Sequence, residues 1–295
     1  MTINVLSLFD GISCGMIALE RAGIEVGRYY ASEIDKHATK VSKANYPNIT
    51  RLGDVEKWRE WDIDWASIDL LIGGSPCQGF SFAGKQLAFD DPRSKLFFVY
   101  LDILNHLKCL NPKIKSMLEN VKMKKEYLDV ISERLCCDPV MINSQDHCAV
   151  SRPRYYWANF YIDRIKPNSI SFLDVVDGDL EENVMSEGWH DWWKKNKQFQ
   201  VKKSYSAIPS AGEKGVTMTA RQYASWNGNY IRTPSGKLRK PTKDELGLLH
   251  GIPSGYFDCT SQRQAEIQVG NGWQVDTVAH IFKCMVKNEH KQVAS

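Results

Sequence analysis

The sequence predicts an α/β fold in which a doubly wound, mainly parallel sheet carries a small inserted domain. Two observations predict it. Apolar runs that suit buried strands alternate with stretches of helical periodicity over the first 165 residues. The alternation stops between residues 166 and 236, where the segments become short. We therefore expect a first domain over residues 1–165, an inserted domain over 166–236, and a return to the first domain over 237–295.

The chain begins with a predicted β–loop–α unit. The run INVLSLFDGISCGMIALERAG starts with a nearly continuous apolar stretch, turns at Asp10 and Gly11, and keeps helical spacing until Gly23. A strand that is apolar on both faces suits a parallel sheet covered by helices. The glycine pattern lacks the full dinucleotide fingerprint, so it favours an adenosine-type ligand without a pyrophosphate.

The next two segments each end in an acidic residue. The strand-like run VGRYYASEID places Glu33 about twenty residues after the glycine turn, where a carboxylate can accept hydrogen bonds from both hydroxyls of a ribose. Asp54, in LGDVEKW, can contact an adenine amino group or cap the helix that follows it. Position alone leaves both roles of Asp54 open.

The remaining elements continue the alternation. SKLFFVYLDILNHL, residues 94–107, has helical spacing, and IKSMLENV, residues 114–121, suits a buried strand. Near the C-terminus VDTVAHIFKCMVKN regains helical spacing, which predicts a helix that returns to the sheet.

A cysteine follows a proline at the end of the apolar run 68–72, in the stretch GGSPCQGFS. Cysteine is usually a small buried apolar residue. Cys77, however, is predicted to lie at the carboxyl end of a parallel strand, which is where open α/β sheets bind ligands. The sequence therefore makes this thiol a candidate for chemistry.

Three further polar residues are expected at the same edge of the sheet. Glu119 ends the predicted strand 114–121, where a carboxyl group can also serve as a cap or an ion-pair partner. Arg152 and Arg154 begin RPRYYWANF, and on a strand two side chains two residues apart share a face. Because a doubly wound sheet gathers its strand ends along one edge, we expect these groups to form one site with Cys77.

The composition predicts a globular protein, and we expect it to stay inside a cell. The chain has no run of eighteen apolar residues and no charged-then-apolar leader. Its eight cysteines do not fall into a disulfide-framework spacing, so reduced thiols are expected. The group Cys136, Cys137, His147 and Cys148 lacks a C-x-x-C pair, which disfavours a metal site.

The charge distribution is uneven although the formal net charge is only +3. Twelve lysines and arginines lie within residues 194–243, beside several aromatic side chains. Such a local excess can bind a polyanion backbone, and it can also be a solvated surface loop.

Seven short motifs resemble those of the DNA (cytosine-5) methyltransferases. They occur in the order that is typical of that family and extend over nearly the whole chain. The matching stretches are SLFDGISCG, SEID, GGSPCQGFS, MLENV, RPRYYWAN, RKPTKDELGLLHGIP and GNGW. Pro-Cys-Gln and Glu-Asn-Val at this spacing are the specific part of the match. The forms of RPRYYWAN and GNGW are closest to the de novo eukaryotic branch and to compact phage or bacterial relatives.

The resemblance implies a Rossmann-like fold, S-adenosyl-L-methionine as the cofactor, no metal, and a target-recognition domain over residues 166–236. It implies that Cys77 adds to the cytosine ring, that Glu119 contacts ring nitrogen 3, and that Asn120 fixes the loop of Cys77. Arg154 would hold the base carbonyl, and Arg152 would orient Glu119 or a phosphate. The implied cofactor contacts are Phe9, Asp10, Gly11, Glu33, Ile34, Asp54, Val55, Asn271 and Trp273, and the implied DNA contacts are Gln78, Ser81, Lys202, Lys203, Arg221 and Arg232.

The resemblance implies methylation of cytosine in double-stranded DNA, in the cytoplasm or nucleoid of a bacterium or in a eukaryotic nucleus. It implies no membrane partner and leaves a homo-oligomer open. The alternatives are a tRNA cytosine-5 methyltransferase of the same fold and a catalytically silent DNA-binding paralogue. The Cys-Phe-Thr tripeptide of the tRNA branch is absent, and Cys77, Glu119, Arg152 and Arg154 argue against a silent protein. A nucleotide-dependent oxidoreductase is disfavoured by the missing dinucleotide fingerprint.

Overall fold

The computed structural model describes residues 2–76, 95–195, 206–224 and 227–293, the last six of these without their side chains. Its packing divides the chain into two compact units. The first comprises Met1–Ile142, Pro153–Arg164 and Val278–Ser295, and the second comprises Asn143–Arg152 and Ile165–Thr277. In this division the C-terminal segment of the first unit begins at residue 278. The sequence analysis expects the chain to return to the first domain at residue 237, and that boundary stays a prediction.

The first unit is built on a seven-stranded sheet, which confirms the predicted doubly wound α/β class. Its strands are β1 (Thr2–Leu8), β2 (Glu25–Ser32), β3 (Thr50–Arg51), β4 (Leu70–Gly73), β5 (Lys115–Val121), β6 (Pro139–Asn143) and β7 (Pro153–Ala158). The strand order is β3-β2-β1-β4-β5-β7-β6. β1 runs parallel to β2 and β4, and β4 runs parallel to β5, whereas β7 is antiparallel to β5. The strand order reverses between β1 and β4, the position where such sheets bind ligands.

The helices agree with the periodicity of the sequence. They are α1 (Cys14–Ala22), α2 (Lys36–Asn45), α3 (Lys95–Leu110), α4 (Lys125–Leu135), α5 (Glu187–Lys195), α6 (Lys243–Leu249), α7 (Gln262–Asn271) and α8 (Val275–Val293). The helix predicted over residues 94–107 runs to Leu110, and the predicted C-terminal helix is α8. Among the described residues, none of the helices is long and apolar enough to cross a membrane.

The core of the first unit lies between α3 and the sheet. The buried residues of α3 are Phe97, Tyr100, Ile103, Leu104 and Leu107, a spacing that places them on one helical face. All four residues of β4 are buried. β4 ends in glycine for a steric reason: a Cβ on Gly73 would lie 3.0 Å from a ring carbon of Tyr100 and 3.3 Å from the carbonyl oxygen of Leu8. This close packing fixes the strand end that leads to Cys77.

The second unit has short elements, as the sequence predicts for this part of the chain. Its strands, β8 (Ser206–Ala207), β9 (Gly228–Asn229), β10 (Ile231–Arg232) and β11 (Leu238–Arg239), form two small sheets. A fully buried ion pair joins the end of β11 to α6: Arg239 Nη1 lies 2.7 Å from Glu245 Oε2 and Nη2 lies 2.8 Å from Oε1. The two parallel contacts orient both planar groups and tie the short elements together.

Candidate active site

The loop between β1 and α1 turns sharply through left-handed backbone conformations. Phe9, Gly11 and Ser13 have φ angles of 58°, 61° and 63°. Only glycine adopts this region without steric cost, so the surrounding structure must hold the other two residues there. One such contact is the Asp10 N–H, which donates to the carbonyl oxygen of Ser32 over 3.0 Å.

Glu33, directly after β2, binds this loop with its carboxylate. The N–H of Gly11 donates to Oε2 over 2.8 Å, and the N–H groups of Ile34 and Asp35 donate to Oε1 over 2.8 and 2.7 Å. A carboxylate offers about four acceptor positions, so three amides fix its orientation and leave one position for an incoming hydroxyl. The arrangement is compatible with the ribose-binding role predicted for Glu33. Two ribose hydroxyls would either share the remaining acceptor position or displace one of the three amides.

Two hydroxyl groups fix the side chain of Asp10. Its carboxylate accepts hydrogen bonds from the Tyr29 hydroxyl over 2.7 Å and from the Ser13 hydroxyl over 2.5 Å. Burial raises the pKa of Asp10 above its usual 3.8, against the opposing effect of these hydroxyl donors. In this structure Asp10 therefore shapes the loop through its side chain, a role that the motif match alone does not reveal.

The ends of β1, β2 and β3 lie side by side, because Leu8 pairs with Ser32 and Ala31 pairs with Arg51. The residues that follow these strands are therefore adjacent. Ile34 is 73% exposed, an unusual position for isoleucine and a suitable apolar face for a purine.

The two predicted contacts after β3 behave differently from each other. Asp54 Oδ1 accepts the Glu56 N–H over 3.0 Å and caps the short helix Val55–Glu60, so the capping role is real. Val55 is 5% exposed and packs in the hydrophobic core with Trp58, which leaves its side chain little surface for a ligand. Among the four predicted contacts near these strand ends, Ile34 is exposed and Glu33 and Asp54 are half-buried, whereas Val55 is buried.

The candidate catalytic carboxyl group lies on β5 and pairs with an arginine of β7. Glu119 is 8% exposed, and its Oε1 lies 2.9 Å from Arg154 Nε. The antiparallel register explains the contact, because Arg154 pairs with Val121, two residues from Glu119 on the same strand. Arg154 Nη1 also donates to the Pro153 carbonyl oxygen over 2.8 Å, which fixes the guanidinium plane.

Asn120 connects β5 to the segment that precedes Cys77. Its Nδ2 donates to both the carbonyl oxygen and the hydroxyl of Ser75, each over 3.3 Å, and its Oδ1 accepts the Val121 N–H over 2.8 Å. Asn120 and Ser75 are 2% and 5% exposed. The contact involves Ser75, which the sequence did not single out, and the role of Asn120 in fixing the loop of Cys77 stays a prediction. Cys77, Gln78 and Ser81 themselves lie outside the described residues.

Arg152 differs from its expected position. β7 begins at Pro153, so Arg152 precedes the strand and the rule that places Arg152 and Arg154 on one face does not apply. Its guanidinium donates to three carbonyl oxygens of the second unit: Met218 over 3.2 Å, Gly270 over 3.1 Å and Gly272 over 2.6 Å. Arg154 pairs with Glu119 in this structure, and the role expected for Arg152, to orient Glu119 or a phosphate, stays a prediction.

The remaining predicted contacts are distributed over the second unit. Asn271, the last residue of α7, is exposed and Trp273 is half-buried. Arg221 and Arg232 are exposed, whereas Lys202 and Lys203 lie outside the described residues. Over the described ranges, no group of three or more His, Cys, Asp or Glu residues is placed to hold a metal ion.

Comparison with known proteins finds that the chain is similar to methyltransferases. Residues 3–133 match the family described as C-5 cytosine-specific DNA methylase. The type II methyltransferase M1.ScrFI of Lactococcus lactis subsp. cremoris is 29% identical over 96% of this chain and 78% of its own length. The type II methyltransferase M.NlaX of Neisseria lactamica is also 29% identical, over 96% of both chains.

The fold is likewise shared with a solved structure. The Dnmt2 methyltransferase of S. pombe superposes with a TM-score of 0.76, covering 97% of this chain and 99% of that one, at 18% sequence identity. The architecture built around Glu119 and Glu33 is therefore that of a known methyltransferase fold.

Proposed function

We propose that this chain transfers a methyl group from S-adenosylmethionine to carbon 5 of a cytosine flipped out of double-stranded DNA. Its similarity to the C-5 cytosine-specific DNA methylase family over residues 3–133 and to type II methyltransferases supports the proposal. The observation that carries the proposal is the buried Glu119–Arg154 pair, adjacent along β5 to the Asn120–Ser75 contact. This arrangement fixes a carboxyl group near the segment that leads to the only Pro-Cys-Gln tripeptide of the chain.

Cys77 acts as the nucleophile. Carbon 5 of cytosine is a weak nucleophile, and addition of a thiolate to carbon 6 moves electron density onto carbon 5. A thiol suits this step because it adds as the thiolate and later leaves as the thiolate. After the methyl group is transferred, loss of the carbon-5 proton and elimination of Cys77 give 5-methylcytosine.

Glu119 and Arg154 activate the ring. As the thiolate adds, negative charge develops on the cytosine, and a proton shared between Glu119 and ring nitrogen 3 offsets that charge. Arg154 holds Glu119 Oε1 at 2.9 Å, and the same guanidinium supplies the positive charge for the base carbonyl. The burial of both side chains keeps water from weakening these interactions.

S-adenosylmethionine supplies a methyl group that its sulfonium makes electrophilic. When the cofactor is bound, Glu33 would accept hydrogen bonds from the ribose, Ile34 would pack against the adenine, and Asp54 would accept from the adenine amino group. Phe9 and Gly11 shape the loop that closes on the nucleoside, and Asn271 and Trp273 are proposed as the last contacts.

The target base must leave the DNA stack to reach a buried carboxyl group. Unstacking costs a few kcal/mol, which residues that fill the gap can offset. We propose this role for Gln78 and Ser81. The basic residues Lys202, Lys203, Arg221 and Arg232 hold the DNA backbone in the second unit.

The proposal is tested by expressing the chain in a host that lacks cytosine methylation and sequencing its DNA after bisulfite treatment. The expected result is 5-methylcytosine in a defined sequence context with the wild-type chain and none with Cys77→Ala. A folded wild-type protein that leaves DNA unmethylated, or that methylates only RNA, would refute it.

A further inference from the structure

Residues 218–224, MTARQYA, are held from their buried side by other parts of the second unit. Gln222 is 4% exposed, and its Nε2 donates to the Glu266 carbonyl oxygen over 2.7 Å. The Lys240 ammonium donates to the carbonyl oxygens of Gln222 and, over 3.1 Å, Ala224. These contacts add to the hydrogen bond from Arg152, so the backbone of this segment is fixed at both ends and in the middle.

Lys240 is an unusual support. Burial lowers the pKa of its ammonium group, although the charge of Glu266 opposes the shift. Removing a cation from water is energetically unfavourable. The hydrogen bonds from Lys240 to the carbonyl oxygens of Gln222 and Ala224 offset this penalty. An apolar side chain would fill the space more cheaply, so the ammonium specifies the conformation of residues 218–224 rather than merely packing against them.

The opposite side of the segment presents a cation stacked on an aromatic ring. Tyr223 is 40% exposed, and Cζ of Arg263, near the start of α7, lies 4.7 Å from the centre of its ring. Neither Arg221 nor Arg263 has a carboxylate at ion-pair distance within the described ranges. The stack restricts the rotamers of Arg263 while leaving its N–H edge to an external acceptor.

We propose that Arg263, stacked on Tyr223, contacts the target DNA duplex and contributes to sequence selection, and that Lys240 is a positioning residue for this pair. The inference rests on the proposed function. A planar guanidinium held in place suits bidentate contact with guanine O6 and N7 or with a phosphate, and the exposed Arg221 lies two residues from Tyr223 in the sequence. DNA is favoured over a protein partner because Arg263 is stacked on Tyr223 and because neither Arg263 nor Arg221 pairs with a carboxylate within the described ranges.

Two measurements test it on the full-length chain. The first is the dissociation constant for a labelled duplex that contains the methylated sequence, or a random-sequence duplex if no methylation is found. The second is the preference for flanking bases, read by bisulfite sequencing of a duplex library with randomised flanks. Arg263→Ala and Tyr223→Ala should each weaken duplex binding about tenfold, and Arg263→Lys should give a smaller loss with a broader flanking preference. Tyr223→Phe should stay near wild type, because the ring face is kept.

Arg59 provides a matched control in the first unit. It stacks on Trp58 at 4.2 Å but also pairs with Asp102 at 3.6 Å, so Arg59→Ala removes a similar stack from a site with no proposed DNA contact. Lys240→Met should alter the flanking preference in the same direction as Arg263→Ala, with unchanged S-adenosylmethionine affinity, and Lys240→Arg should partly restore it.

The inference is wrong if Arg263→Ala binds and selects DNA like Arg59→Ala, or if it weakens binding of structured RNA but not of the duplex. Failure of the proposed function has a different signature, namely a wild-type protein that forms no 5-methylcytosine. The duplex-binding measurement still decides the role of Arg263 in that case.

Discussion

Arg154 Nε lies 2.9 Å from Glu119 Oε1, and both side chains are nearly removed from solvent. The pair connects β5 and β7, which are antiparallel neighbours in the seven-stranded sheet. A carboxyl group held in this way keeps one orientation before any substrate arrives, and pre-organisation of this kind is what a charge-stabilising group needs.

Loss of this orientation should slow methyl transfer. Arg154→Gln removes the charge and the fixed donor, so we expect kcat to fall about a hundredfold, in the range of general acid–base contributions, with S-adenosylmethionine affinity unchanged. Single-turnover methyl transfer to a duplex, combined with calorimetry of cofactor binding, measures both. Arg134→Gln, on the exposed surface of α4, is the control. Equal rates for the two variants would remove Arg154 from the mechanism.

Much of the site could be predicted from sequence because its residues follow strand ends. The apolar run before Asp10 and the one before Glu119 fix strands β1 and β5, and parallel strands bring their ends to one edge. The partner of Glu119 could not be predicted, because it depends on where β7 begins and on its register with β5. The contacts of Arg152 with Met218, Gly270 and Gly272 could not be predicted either, because they join residues far apart in the sequence.

Two features of the predicted cofactor contacts could not be predicted for a similar reason. The hydrogen bond from Tyr29 to Asp10 joins residues of two different structural elements, so the spacing of residues along the sequence does not predict it. Val55 follows Asp54 in the motif, yet its side chain packs inward because the short helix after Asp54 turns it towards Trp58. Sequence similarity thus marks the stretch that matters without saying which side chain faces the ligand.

The ribose assignment predicts the effect of Glu33→Ala. The variant should weaken S-adenosylmethionine binding at least about tenfold, because the ribose loses a charged acceptor and the Gly11 amide loses its partner. Calorimetry measures the affinity, and circular dichroism checks the fold. Glu60→Ala, an exposed carboxylate in the same unit, should bind as the wild type does. Unchanged affinity in Glu33→Ala would exclude this carboxylate from the cofactor site.

Asp10 should make stability depend on pH. Burial raises its pKa in the folded state above the usual 3.8, so the favourable contribution of this group is complete below pH 3.8 and is lost as the pH rises through the folded-state value. Asp10→Asn keeps an oxygen for the Tyr29 hydroxyl and removes the charge. The free energy of unfolding of the variant relative to wild type should therefore rise as the pH increases from 4 to about 7.

Urea titrations at several pH values measure this difference. Asp62→Asn, which alters an exposed carboxyl group outside the loop between β1 and α1, serves as the control. Parallel stability curves for wild type and Asp10→Asn would show that Asp10 does not titrate differently in the folded state.

The basic surface predicts a strong salt dependence of DNA binding. The logarithm of the binding constant should fall linearly with the logarithm of salt concentration, and Arg221→Gln and Arg232→Gln should each reduce the slope by about one. Fluorescence anisotropy at several salt concentrations gives the slope. The same measurement applies to Lys194, Lys195, Lys197, Lys202 and Lys203. A slope near zero would show that this surface does not contact phosphates.

The covalent mechanism is tested most directly at Cys77. Fluorine at carbon 5 cannot leave as the proton does, so DNA that carries 5-fluorocytosine at the target should stop the reaction after methyl transfer, with the enzyme still attached to carbon 6. A denaturing gel should then show a shifted band that requires S-adenosylmethionine. The band should be absent in Cys77→Ala and should form much more slowly in Glu119→Gln, because the ring is less activated for attack. Substitutions of the other seven cysteines should leave it in place. If the wild-type protein methylates DNA without forming this adduct, or if Cys77→Ala keeps full activity, the thiol is structural and the ring must be activated by another route.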